Sequence, residues 1–108
     1  MIRISVYRND SGKIKGFKVS GHALFDDPGR DIVCSAVSVL VINTVNSIEK
    51  FLPAELFRVD SDEKTGCIEC FIKEPVSDEA GILLKAMVFG IENIRDTYGS
   101  EFVTIDRS

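Results

Sequence analysis

Residues 31–53 read DIVCSAVSVLVINTVNSIEKFLP. The spacing of the apolar residues in this run decides the fold. Cys34, Val37, Val41, Val45, Ile48 and Leu52 recur at intervals of three and four, one apolar stripe of a helix. Asp31 is suited to cap it, because a carboxylate there accepts a bond from an unpaired backbone N–H of the first turn. The spacing predicts a helix from Asp31 to about Phe51, with Pro53 just past its end.

Strand patterns flank this helix on both sides. Ahead of it, Ile2, Ile4 and Val6 alternate with Arg3, Ser5 and Tyr7, the period of a half-buried strand. Asn9-Asp10-Ser11-Gly12 is turn chemistry, and a second strand follows from about Ile14 to Ser20, closing a hairpin. Beyond the helix, Leu56–Asp60 and Cys67–Ile72 read as another hairpin joined by the polar tip Ser61–Gly66. A second helix begins at Ser77, with Asp78 and Glu79 at the positive end of its dipole. Its stripe is Ala80, Leu84, Met87, Ile91, Ile94 and Tyr98, and Gly99 stands where a left-handed cap belongs. Phe102–Ile105 is a last short strand. The order ββαββαβ predicts an α+β fold: a single domain over 1–108, with a mostly antiparallel sheet and two packed helices.

A chain of 108 residues that is 44% apolar can build a core without covalent staples. Its net charge is −4, and no basic patch stands out, so direct nucleic-acid binding through phosphate neutralisation is not expected. A mildly acidic surface suits a basic peptide better. Three cysteines cannot all pair, which points to a reducing, cytoplasmic setting. No signal segment is visible at the start. Ser, Asn and Thr interrupt the longest apolar helix, so no membrane span is expected.

The candidate chemistry lies at the mouth of the first helix, in GHALFDDPGRDIVCSAVS (residues 21–38). With Asp31 as cap, Cys34 falls in the first turn, where unpaired N–H groups and the helix dipole favour a thiolate. The same N–H groups face the place where an oxyanion would form. The plainer reading makes Cys34 a small buried residue of the apolar stripe. His22, the one histidine, follows Gly21 at the end of the second strand. An imidazole there can take the proton of a nearby thiol, or can simply be a solvated loop residue. Asp31 and Ser38 share a helix face with Cys34, at offsets of three and four. Asp31 fits capping, or orienting His22, and Ser38 fits a hydrogen bond to the imidazole or to substrate. Cys67 and Cys70 form CIEC, which reads as structural because i and i+3 in a strand point to opposite faces. Asp26 and Asp27 with His22 could hold a metal, but a solvated loop is the better reading, and no metal or cofactor is expected. Asn43 and Asn46 read as helix surface.

Gly21-His22-Ala23, then Gly29-Arg30-Asp31-Ile32-Val33-Cys34 and Ser38, resemble the signature of the ribosomal-processing cysteine proteases of the Prp family. Ser35, where many members carry alanine, is a mild departure. The resemblance runs along nearly the whole chain in length and element order. It implies an endopeptidase with a Cys-His dyad, in which Cys34 is the nucleophile and His22 the general base and later the general acid. Asp31 and Ser38 would support the pair. The implied substrate is the N-terminal extension of the precursor of large-subunit ribosomal protein twenty-seven, cut after a short apolar, aromatic-containing motif. A homodimer is implied as well. Gly21, Ala23, Phe25 and Gly29 would belong to a substrate loop, a lid that closes over an apolar peptide and brings His22 onto Cys34. A reading from another class, a ribosome-associated binding module without catalysis, stays open at this point.

Overall fold

The computed structural model describes residues 2–21, 28–62 and 64–107, of which 28–31 and 107 by their backbone alone. The expected α+β arrangement is present. Strands β1 (Ile2–Arg8), β2 (Ile14–Ser20), β3 (Phe57–Asp62), β4 (Cys67–Ile72) and β5 (Val103–Arg107) form one sheet, joined by helices α1 (Pro28–Phe51) and α2 (Asp78–Tyr98). The spatial order is β3-β4-β2-β1-β5. Every neighbouring pair is antiparallel except β1 and β5, which run parallel.

Alternation places the core. Ile2, Ile4 and Val6 of β1, Phe17 and Val19 of β2, and Cys70 and Ile72 of β4 are buried. Val33, Val37, Val41 and Ile48 of α1 meet them from the helix layer, with Ala80, Leu84, Met87, Val88 and Ile91 of α2. The opposite face of the sheet is polar except for one aromatic seam. Tyr7 and Phe71 stack there at 5.5 Å, and the Arg58 guanidinium lies 5.2 Å from the Phe71 ring centre. Gly16 sits between them in the register, paired with Tyr7 on one side and Phe71 on the other. A Cβ at Gly16 would stand 2.5 Å from the Cys70 carbonyl oxygen, so any side chain there would force β2 and β4 apart.

The two helices cross closely. A Cβ at Gly90 would stand 2.8 Å from a methyl of Leu40, so the missing side chain lets α2 seat on α1. α2 is capped as predicted, with the Ser77 hydroxyl accepting from the Ala80 N–H at 3.2 Å.

Six expectations need correction. α1 begins at Pro28, one turn before the predicted Asp31 cap. Proline is well placed at a helix start, because its φ is already helical and it has no N–H to leave unpaired. β3 is Phe57–Asp62 rather than Leu56–Asp60, since Ala54–Leu56 form a 3₁₀ turn that delays it. β5 runs to Arg107, extended by its pairing with β1. Tyr98, in the last turn of α2, is 43% exposed, and Gly99 has φ 116° and ψ 147°, a positive φ outside the left-handed helical region. Finally, Ile32–Phe51 is, at 20 residues, long and apolar enough to cross a membrane by composition alone. Its polar interruptions are too mild to change that, since Thr44 returns its hydroxyl to the Leu40 carbonyl at 2.7 Å. In the fold, this helix puts one face into the core.

Candidate active site

The end of β2 at Ser20 and the start of α1 at Pro28 bound the candidate segment in the sequence. Gly21 closes β2 with φ 78°, a conformation that favours glycine, and turns the chain out of the sheet. His22, Ala23 and Phe25 lie outside the described residues, as do Asp26 and Asp27. The predicted lid falls largely on them. Gly29, expected in that loop, is part of α1, and so is Asp31.

Cys34 is half-buried and packs against the core cluster from the second turn of α1. Because the helix starts at Pro28, the Cys34 N–H lies beyond the four unpaired donors of the helix start and bonds the carbonyl four residues back. The unpaired first-turn N–H groups therefore belong to residues 29–31, about one turn before the thiol. Ser38 follows one turn later, also half-buried, in the row that Cys34 begins. Asn43 and Asn46 are exposed, as expected of helix surface.

The other two thiols are placed differently. Cys70 is fully buried opposite Phe17, and burial first, with the Glu49 carboxylate second, pushes its thiol up from 9.0 to about 11. Such a thiol is protonated and shielded at neutral pH, which removes it as a nucleophile. Cys67 opens β4 beside Asp62, and no cysteine forms a disulfide. Among the described residues, no three His, Cys, Asp or Glu side chains gather as a metal site.

Spacing did not single out Gly90 as the residue that fixes the position of α1 against α2. Its signal was a glycine inside an otherwise apolar helical run. Nor did spacing mark Ile42, which stands 50% exposed beyond Ser38 on the same helix.

The chain as a whole is similar to known proteins. The family model described as cysteine protease Prp matches residues 1–103. The ribosomal processing cysteine protease Prp of Staphylococcus aureus is 30% identical over 98 residues, covering 91% of this chain and 92% of that protein. The crystal structure of S. aureus Prp, an essential ribosomal processing protease, in complex with a substrate peptide superposes with a TM-score of 0.88 at 27% identity, all of both chains covered. The same enzyme with a covalently linked product peptide gives 0.85 at 28% identity, again over all of both chains. A family model that spans nearly the whole chain, and a shared fold that holds peptide in the staphylococcal enzyme, place this chain in the Prp family as a cysteine-type peptidase.

Proposed function

We propose that this chain removes the N-terminal extension from the precursor of large-subunit ribosomal protein twenty-seven, using Cys34 and His22 as a dyad. The observation that carries the reading is the likeness, over all of both chains, to a ribosomal processing protease captured with substrate peptide and with covalently linked product. Cys34 supports it as the half-buried thiol at the head of α1, beside Ser38, while Cys70 is sealed in the core.

In this mechanism the His22 imidazole takes the proton from the Cys34 Sγ, and the thiolate attacks the scissile carbonyl carbon. The imidazolium then gives its proton to the departing amine, leaving a thioester on Cys34. A water molecule, deprotonated by His22, attacks that thioester, frees the carboxylate product and restores the thiol. Asp31 orients His22, and the Ser38 hydroxyl bonds the imidazole or the peptide. The enzyme works in the cytoplasm, where its substrate is made, as a homodimer. The exposed apolar pair Ile82 and Phe89, seven residues apart on α2, supports self-association.

The test is incubation of the extended precursor with wild type and with Cys34→Ala. Wild type should shorten the precursor at one bond, and the variant should bind it without cutting. Binding by both proteins with no cleavage by either would refute the protease reading in favour of a binding module.

A further inference from the structure

The outer face of α1 is unlike the rest of the surface. From Ile32 to Ile48 no side chain is charged, in a protein where 28% of residues are. Within that stretch Ile32, Val39 and Ile42 are 54%, 67% and 50% exposed. Successive helical residues turn by about 100°. Leu40 marks the side that meets α2, at Gly90. Cys34, Ser38 and Ile42 then lie about 120°, 160° and 200° around the helix from Leu40, on the side away from α2. They form one i, i+4, i+8 row that drifts by about 40° at each step. Exposure follows that drift: Cys34 and Ser38 are half-buried, and Ile42 stands out to solvent.

We propose that the row Cys34–Ser38–Ile42 is the track along which a substrate peptide lies, and that Ile42 is a specificity-determining residue. This rests on the protease reading above and names the part of the site that selects sequence. The track is continuous with the nucleophile, and it passes from a thiol through a hydroxyl to an uncharged apolar surface. Eight helical residues rise about 12 Å, and an extended peptide advances about 3.3 Å per residue. Ile42 therefore meets the substrate side chain three or four residues from the scissile bond, and it selects an apolar one there. A charged side chain at that place would give up water against isoleucine with no partner in return.

The experiment is cleavage of extended peptides that carry Leu or Glu at the third and fourth positions from the scissile bond, on each side in turn. Wild type should prefer Leu over Glu by about 10-fold or more in kcat/KM at one of these positions, the scale on which apolar pockets discriminate. Ile42→Lys should reverse that preference toward Glu at the same position. A merely structural role for Ile42 would instead lower both rates alike. Circular dichroism and light scattering on the variant accompany the kinetics. Equal use of Leu and Glu by wild type, or an unchanged preference in Ile42→Lys, overturns the track while leaving the protease reading standing. Conversion of a dimer to a monomer by Ile42→Lys assigns the stripe to a second copy and also overturns it. A wild type that cuts none of the peptides or the precursor overturns both readings.

Discussion

Replacing Gly16 and Gly81 by alanine should shift stability in opposite directions, and the structure sets both signs. At Gly16 the new Cβ would lie 2.5 Å from the Cys70 carbonyl oxygen and 2.9 Å from a Phe71 ring carbon. Carbon and oxygen on neighbouring strands approach to about 3.3 Å even in favourable contacts. Strands β2 and β4 must therefore part by somewhat under about 1 Å beside the Cys70 carbonyl, and the Phe71 ring must shift against Tyr7. Overpacking of this kind costs about 1–3 kcal/mol. A lost aromatic pair adds about 0.5–1.5 kcal/mol. Against this, alanine stiffens the unfolded chain by about 0.4–1 kcal/mol. The net expectation for Gly16→Ala is a loss of about 1–3 kcal/mol. At Gly81, in the first turns of α2, an added Cβ meets nothing within 4 Å. Only helix propensity and unfolded-state entropy remain, so Gly81→Ala should gain up to about 1 kcal/mol. Urea unfolding followed by circular dichroism measures both changes at a common m-value. Two variants shifted in the same direction, or a Gly16→Ala protein as stable as wild type, would refute the packing argument.

Other expectations follow from single residues. Cys70→Ala should abolish a loss of stability at alkaline pH. The raised Cys70 thiol contributes fully below pH 9, and the contribution is lost as pH rises toward about 11. The unfolded chain gives up this proton first, so the total loss is roughly 3 kcal/mol, read from urea midpoints of wild type and variant across that window. Ser77→Ala removes the cap on Ala80 and should lower stability by about 1 kcal/mol, measured the same way. Cys34→Ala should change stability by less than about 1 kcal/mol, because a half-buried thiol gives up little packing, while precursor cleavage stops. His22→Ala should slow alkylation of Cys34 by iodoacetamide at neutral pH, and an unchanged rate would argue against proton transfer between the two.

The helical stripes were legible because a period of three and four residues is a local property. Val37, Val41 and Ile48 in α1, and Ala80, Leu84, Met87 and Ile91 in α2, are buried where spacing put them. The start of α1 was not legible for an equally local reason. Pro28 and Asp31 both carry start signals one turn apart, and the longer helix gains another turn of backbone bonds. The sheet order was out of reach, since β2–β4 and β1–β5 are partners distant in the chain. Register between them is set by Phe17 facing Cys70 and Ile4 beside Ile105, not by either strand alone. In the candidate site, Cys34 had the competing reading of a core cysteine, and its half-buried place at the core margin is compatible with both. The link to His22 came from the motif, because no periodicity relates residues on either side of a loop.

The parallel pairing of β1 with β5 sets a schedule for the chain's birth. The first strand made cannot gain its second neighbour until residues 103–107 are synthesised. At about 5–20 residues per second, roughly 100 intervening residues take about 5–20 s. Through that interval one edge of β1, with its buried-to-be Ile2, Ile4 and Val6, stays open to wrong partners. Arg3, standing between two of those apolar residues on the opposite face, puts a charge on that waiting edge. A tag or truncation at β5 therefore threatens yield before it touches catalysis.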